Sequence, residues 1–154
     1  MKALILAAGY GTRLGDLTKD KPKPLIEVNG KSVIEGIIDS LHVNGIIEII
    51  VNLHYLPTVI TERIMSKALY YYESRLLGHE GTIHALKGWL KDDDFFVING
   101  DTISSVDYTQ MQALHQPKTI SVLMDQWRCA GTWIYSKEYF EDKNLPVIPY
   151  RPLN

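Results

Sequence analysis

The chain has 154 residues, of which 45% are hydrophobic and 22% are charged, and its formal net charge is −2. These values are ordinary for a globular protein and predict a single domain over residues 1–154. A nearly neutral chain has no general attraction for nucleic acid or an anionic membrane, and no apolar run reaches membrane-spanning length. The single cysteine, Cys129, excludes an internal disulfide, and the short apolar start does not resemble a leader, so a cytoplasmic protein is predicted.

The chain begins with an apolar run at residues 3–7, which predicts a buried strand, and a long loop follows at residues 9–24. Ser32 is placed to cap a helix with apolar residues at helical spacing, and Gly45 is placed to end it. The other predicted strands are residues 46–51, 68–72, 95–98, 119–124 and 131–135. The other predicted helices are residues 58–66, 80–90, 108–115 and 137–141, and the tail at residues 146–154 is predicted to be irregular.

Strands alternate with helices along the whole chain. This order predicts an α/β fold, a three-layer sandwich around a mostly parallel sheet. Ligands of such sheets bind beyond the carboxyl ends of the strands, and the loops after Leu6 and Ile98 both leave strands at that edge.

The loop after the first strand reads LAAGYGTRL at residues 6–14, and PKPL follows at residues 22–25. Alanine and glycine leave backbone N–H groups open to phosphate oxygens, and Arg13 and Lys23 add positive charge. The spacing fits neither the P-loop nor the dinucleotide-binding motif. The pattern therefore predicts a nucleotide site, with a simple strand-to-loop turn as the alternative.

A carboxylate follows another buried strand in the segment FVINGD at residues 96–101. Magnesium ions that carry phosphates commonly take one or two protein carboxylates, so Asp101 is a candidate Mg²⁺ ligand. The alternative is a turn at the end of a strand.

Taken together, the loop, the PKPL segment and the strand-Gly-Asp segment resemble the sugar-phosphate nucleotidylyltransferases, and in particular the mannose- and heptose-phosphate guanylyltransferases. That family makes nucleotide-sugars from a nucleoside triphosphate and a sugar 1-phosphate, on a Rossmann-like fold, with release of pyrophosphate. The resemblance implies Mg²⁺ on Asp101 and catalytic roles for Arg13, Lys23 and Asp101. It implies nucleotide binding by Leu6, Ala7, Ala8, Gly9, Gly11, Thr12, Gly81 and Thr82.

The segment LGHEGT at residues 77–82 resembles the family's Leu-Gly-Thr-Ala-Gly, but His79 and Glu80 replace two small residues. Two interpretations stay open. The larger side chains change the choice of base or crowd the nucleotide, or the segment only begins a helix whose dipole Glu80 favours. The four histidines at positions 42, 54, 84 and 115 show no metal-ligand spacing and are predicted to be surface or hydrogen-bonded core residues.

The resemblance is abbreviated after residue 124, where the family's Glu-Lys-Pro motif is missing, and Asp125 is the one candidate for a second metal carboxylate. The predicted function is transfer of a nucleotide to a sugar 1-phosphate. The alternatives are a nucleotide-binding homologue that does not transfer, and a cytidylyltransferase for a small alcohol phosphate. The abbreviated acceptor side also makes a homo-oligomer a possible partner arrangement.

Overall fold

The computed structural model describes residues 1–152, which form strands, α-helices and short 3-10 turns. The strands are β1 (Lys2–Leu6), β2 (Glu27–Val28), β3 (Lys31–Ser32), β4 (Ile49–Leu53), β5 (Leu69–Tyr72), β6 (Phe95–Asn99), β7 (Ile120–Asp125), β8 (Arg128–Tyr135) and β9 (Val147–Tyr150). The helices are α1 (Val33–Val43), α2 (Pro57–Ile64), α3 (Gly78–Ala85), α4 (Lys87–Leu90) and α5 (Tyr108–Leu114). The 3-10 turns are Thr12–Thr18, Lys23–Leu25, Met65–Lys67 and Lys137–Phe140.

Seven of the strands form one mixed sheet in the order β5-β4-β1-β6-β8-β7-β9, and β2 and β3 form a separate hairpin. Strand β8 is antiparallel to both of its neighbours, and all the other pairs are parallel. Six strands therefore point the same way, and their carboxyl ends meet at one edge of the sheet. The predicted α/β fold with a mostly parallel sheet is confirmed.

Two apolar cores cover the two faces of the sheet. One core packs α1, α2 and α5 against Ala3 and Ile5 of β1, and the other packs α3 and α4 against Leu4. Successive side chains of a strand point to opposite faces, so one apolar strand serves both cores. The result is the predicted three-layer arrangement.

Helix α1 follows its sequence signals closely. Ser32 caps it and forms a reciprocal capping box with Glu35, and its buried side chains are Ile34, Ile37, Ile38 and Leu41. At its end Gly45 has a φ of 77°, and Ile46 N–H donates to Leu41 C=O at 2.9 Å. This is a Schellman motif, in which the apolar residue after the glycine packs back on the helix.

The predicted strand at residues 46–51 is therefore wrong at its start, because Ile46 closes α1 and β4 begins at Ile49. The predicted helix at residues 80–90 begins earlier, at Gly78, and is broken at Leu86 into α3 and α4. Gly88, which has a low helix propensity, lies in the second piece.

The prediction of an irregular tail is wrong for residues 147–150, which form β9 in parallel with β7. Proline is tolerated in an edge strand, and Pro149 lies in this one at the end of the sheet. The last two tail residues, 153 and 154, lie outside the described part of the chain. Within residues 1–152 no helix is both long and apolar enough to cross a membrane.

Candidate active site

A cavity of about 440 Å³ lies at the carboxyl ends of β1 and β6. Its lining residues are Leu6, Ala7, Gly9, Gly11, Thr12, Arg13, Leu14, Lys23, Pro24 and Asp101. The three predicted catalytic residues, Arg13, Lys23 and Asp101, thus share one cavity with most of the predicted nucleotide-binding loop.

The first cavity is called the phosphate-side cavity below. Two of its lining residues, Lys23 and Asp101, form an ion pair. The distance from Lys23 Nζ to Asp101 Oδ2 is 2.6 Å, and the side chains are 39% and 30% exposed. Thr102 Oγ1 donates to the other carboxylate oxygen of Asp101 at 3.1 Å. Each oxygen of Asp101 therefore has one protein partner. A ligand that binds Lys23 or Asp101 must compete with the ion pair between them.

Glycines bring these residues together. A Cβ on Gly100 would lie 3.0 Å from the carbonyl oxygen of Leu6, to which Gly100 N–H donates at 2.9 Å. Only glycine lets the end of β6 approach the end of β1 this closely, so Gly100 sets Asp101 beside the loop. Gly11 has a φ of 66°, and a Cβ there would lie 3.0 Å from Thr18 Cγ2 and 3.3 Å from Lys23 Cβ. The loop therefore folds tightly onto the segment that carries the lysine.

Arg13 is exposed at the rim of the cavity, and its guanidinium has no ion pair or hydrogen bond within residues 1–152. An unpaired guanidinium offers five donors to an anion. The cavity thus presents one free cation and one cation that is paired with Asp101.

A second cavity, of about 340 Å³, adjoins the first through three shared residues, Leu6, Gly9 and Asp101. Its other lining residues are Ala8, Asn52, Glu73, Leu76, Gly78, His79, Thr82 and Asn99. Of the predicted nucleotide-binding residues, Ala8 and Thr82 line this cavity alone, and Leu6 and Gly9 line both. Gly81 lines neither cavity. A Cβ at Gly81 would lie 3.0 Å from Leu77 Cβ, so this glycine serves the packing of α3 on the preceding loop.

A buried polar network lines the second cavity, which is called the base-side cavity below. Asn52 Oδ1 accepts from Ala7 N–H at 2.6 Å, and Asn52 Nδ2 donates to Glu73 Oε1 at 2.9 Å. Thr82 Oγ1 also donates to Glu73 Oε1, and Leu77 N–H donates to Oε2 at 3.1 Å. Glu73 is only 2% exposed and has no cationic partner within the described residues. Because the Ala7 N–H already donates to Asn52, a ligand would bind the later backbone N–H groups of the loop.

The sequence interpretation did not single out Asn52 or Glu73. Both follow the pattern that identified Asp101, a polar residue at the carboxyl end of a strand, because Asn52 lies in β4 and Glu73 follows β5. A polar residue at a strand end is therefore the signal by which Asn52 and Glu73 could have been found, but neither residue lies in a recognised motif.

His79 does project into the base-side cavity, and Glu80 is exposed outside it. His79 Nε2 lies 3.0 Å from the Tyr135 hydroxyl, and its ring stands edge-on to Trp133 at 4.6 Å. Burial lowers the pKa of His79, with Glu80 acting in the opposite direction, and burial raises the pKa of Tyr135. The added bulk of His79 therefore lies in the cavity, whereas the carboxylates that line it belong to Glu73 and Asp101 and not to Glu80.

A third cavity, of about 540 Å³, includes residues 103–105 of the loop that follows Asp101 in its lining. It is lined by Ser104, Ser105, Asp125 and Arg151, among others. Asp125 therefore belongs to a different cavity from Asp101.

The described residues contain no group of three or more histidine, cysteine or acidic side chains that could hold a metal ion. Asp101 is nevertheless suited to Mg²⁺ that arrives with phosphates, because such ions need only one or two protein carboxylates. The donor set fits a metal that is held jointly with the nucleotide.

One known protein family matches most of the chain. Residues 2–128 match the family described as Nucleotidyl transferase. The chain belongs to this family. The match includes the phosphate-side loop, PKPL and Asp101, and it confirms the resemblance seen in the sequence.

Named relatives include the mannose-1-phosphate guanylyltransferase catalytic subunit beta of Dictyostelium discoideum, 34% identical over 124 residues. The mannose-1-phosphate guanyltransferase of Neurospora crassa is 35% identical over 130 residues. Each alignment covers 75% of this chain and 34% of the relative, so the chain spans about a third of the length of the curated relatives it matches.

Solved structures share the fold. HddC from Yersinia pseudotuberculosis superimposes with a TM-score of 0.81 at 22% identity, covering 97% of this chain and 89% of that one. A putative glucose-1-phosphate thymidylyltransferase from Bacillus anthracis gives a TM-score of 0.82 at 16% identity, covering 99% of this chain and 87% of the other. Identities this low establish the Rossmann-like nucleotidyltransferase fold alone.

Proposed function

We propose that this protein transfers a nucleoside monophosphate from a nucleoside triphosphate to a sugar 1-phosphate and releases pyrophosphate. The observation that carries the proposal is the gathering of Arg13, Lys23 and Asp101 around one cavity beside the loop at residues 6–14. Membership of the nucleotidyl transferase family and relatives named as mannose-1-phosphate guanylyltransferases support it.

In this proposal the triphosphate lies in the phosphate-side cavity, on the open backbone amides of the loop. Arg13, which has no protein partner within residues 1–152, stabilises charge that builds on the departing pyrophosphate. Lys23 leaves Asp101 and holds the α-phosphate. The acceptor phosphate is already ionised, so it attacks in line without a general base, and rate comes from positioning and electrostatic stabilisation.

The base lies in the second cavity against Glu73, and we propose guanine. A carboxylate accepts at about four lone-pair positions, and neighbouring protein groups fill three of them. The remaining position is an acceptor that is buried without a counter-cation. Guanine presents adjacent N–H donors at N1 and N2 to such an acceptor, whereas adenine presents its N6 amino donor beside an acceptor at N1. This difference, together with relatives that are named as guanylyltransferases, supports guanine.

The acceptor lies in the third cavity, where Ser104, Ser105 and Arg151 offer hydroxyl groups and a cation. Residues 103–105 of the loop that follows Asp101 line this cavity, so the chain connects it directly to the residue that we place at the phosphates. In this proposal these groups take the place of the missing Glu-Lys-Pro motif.

Asp101 would hold Mg²⁺ together with the phosphates, and the ion would neutralise charge on the phosphate oxygens. Lys23 Nζ contacts one oxygen of Asp101, so phosphate binding by Lys23 and metal binding by Asp101 would both require this ion pair to open.

The test measures pyrophosphate release with magnesium, crossing four nucleoside triphosphates with sugar 1-phosphates and alcohol phosphates. Asp101→Asn should abolish release, while Asp92→Asn, at an exposed position outside the three cavities, should not change it. We expect GTP and a sugar 1-phosphate to be required together. Triphosphate binding without release for any acceptor would show a binding protein, and release only with CTP and an alcohol phosphate would show the cytidylyltransferase alternative.

A further inference from the structure

Residues 52–55, at and just after the end of β4, contact the phosphate-binding loop, taken here as residues 6–19, at several separate points. As described above, Asn52 accepts the Ala7 N–H. Two residues later, His54 Nε2 lies 2.8 Å from the hydroxyl of Tyr10, which sits between the two glycines of the loop. The segment at residues 52–55 thus reaches both the start and the tip of the loop.

The same segment also holds the far end of the loop. The Tyr55 hydroxyl lies 3.0 Å from the carbonyl oxygen of Thr18 and 2.9 Å from that of Lys19. Thr18 is buried, and its Oγ1 donates to the carbonyl of Gly11 at 2.9 Å. The loop is therefore braced from β4 at its beginning, its tip and its end.

The hydrogen bonds of His54 fix its tautomer. Nδ1 lies 2.7 Å from the backbone carbonyl oxygen of Glu73, which can only accept, so Nδ1 carries the proton. Nε2 is then the acceptor, and the Tyr10 hydroxyl donates to it. One imidazole thereby links the tip of the phosphate loop to the backbone of the residue that lines the base-side cavity.

Tyr10 needs such a contact to be ordered. It lies between Gly9 and Gly11, which give the backbone wide freedom, and its side chain is 46% exposed. Its ring stands edge-on to His54 at 5.3 Å and packs on Tyr55 at 5.4 Å. A loop that is already ordered loses less entropy when a ligand binds, so this contact favours nucleotide affinity.

We propose that residues 52–55 hold the phosphate-binding loop in its binding conformation before the nucleotide arrives, and that His54 is a positioning residue that acts through Tyr10. The inference rests on the proposed nucleotide binding and goes beyond it, since neither residue needs to touch the reacting atoms. Loss of one such hydrogen bond should weaken triphosphate binding about two- to tenfold and leave kcat nearly unchanged.

The experiment measures the Kd of the triphosphate that the wild type binds most tightly, by calorimetry with magnesium and no acceptor. The variants are Tyr10→Phe, His54→Asn and the double variant. If the two residues act through one bond, each single change weakens binding and the double change is no worse than either. KM for the triphosphate should rise in parallel with Kd, and the melting temperature should hardly move.

Two further variants sharpen the test. His54→Gln places an amide near the position of Nε2 and should restore part of the affinity that His54→Asn loses. Tyr72→Phe is the matched control, because the Tyr72 ring stacks on His54 at 6.5 Å while its hydroxyl has no hydrogen bond within residues 1–152. This control should bind the triphosphate like the wild type.

The outcomes separate the two proposals. A wild type that binds no triphosphate overturns the proposed function, and this inference with it. A wild type that binds, with Tyr10→Phe and His54→Asn at the same Kd, overturns the inference alone. The inference is also overturned if the increases in Kd of the two single variants multiply in the double variant. A fall in kcat as large as the rise in Kd overturns it as well.

Discussion

Replacing Lys23 with alanine distinguishes a structural role of its ion pair with Asp101 from a catalytic one. Both side chains remain about a third exposed, so water screens the pair and its loss should lower the free energy of unfolding by at most about 1 kcal/mol. For a domain of this size that corresponds to a fall in melting temperature of about 2–4 °C. Removal of one preorganised charge-stabilising donor, by contrast, commonly costs about 10²–10³-fold in kcat, or about 3–4 kcal/mol.

The two magnitudes differ enough for a pair of assays to decide. Turnover is measured as pyrophosphate release at saturating substrates, and stability by thermal unfolding of the same preparation. Lys21→Ala is the matched control, since Lys21 is exposed in the same loop and does not line the phosphate-side cavity. Near-normal turnover of Lys23→Ala, or an equal loss in Lys21→Ala, would refute the catalytic role of Lys23.

Three further predictions follow from the packing and the hydrogen bonds. Gly100→Ala should destabilise the fold by about 1–3 kcal/mol and reduce turnover, because the new Cβ pushes on Leu6 and displaces Asp101. The control Gly88→Ala has open space around the new Cβ and should do neither. Denaturant unfolding and pyrophosphate release measure both variants. Ser32→Ala should cost about 1 kcal/mol of unfolding free energy through loss of the α1 cap, with turnover kept. Burial lowers the pKa of His115, with Asp94 and Glu138 opposing, so the unfolded chain takes up a proton first as pH falls below about 6.5. Stability should therefore fall below that pH, and less so in His115→Gln; a slope unchanged by the substitution would contradict this account.

The sequence predicted the elements whose signals are local. The apolar run of β1, the cap of α1 and the polar residue after β6 each depend on neighbours in the chain, and each was located correctly. The shared edge of the loops after Leu6 and Ile98 also followed, because carboxyl ends of parallel strands meet at one edge. The ion pair of Lys23 with Asp101 at that edge was not predicted.

Features that depend on distant partners were not predictable in this way. Ile46 has the β-branched character of a strand residue, but the turn after Gly45 folds it back onto α1. The residues of β9 pair with β7 only because the sheet offers an open edge there. Glu73 enters the base-side cavity because Asn52, on the neighbouring strand, binds it. In each case a contact between separate elements overrides or supplies the local signal.

The antiparallel strand β8 lies in the sheet between β6 and β7, and two of the cavities on either part of the sheet are also separate along the chain. The phosphate-side cavity is built entirely from residues up to Asp101, and the third cavity entirely from residues after it. Gly131 of β8 packs against Asn99 and Thr102, and a Cβ at Gly131 would lie 3.1–3.2 Å from their side chains. Strand β8 is therefore in close contact with the residues on both sides of Asp101. If the proposed sites are right, segments after Asp101 can be exchanged between homologues to alter the proposed acceptor site while the proposed triphosphate site keeps its own residues, provided Gly131 is retained.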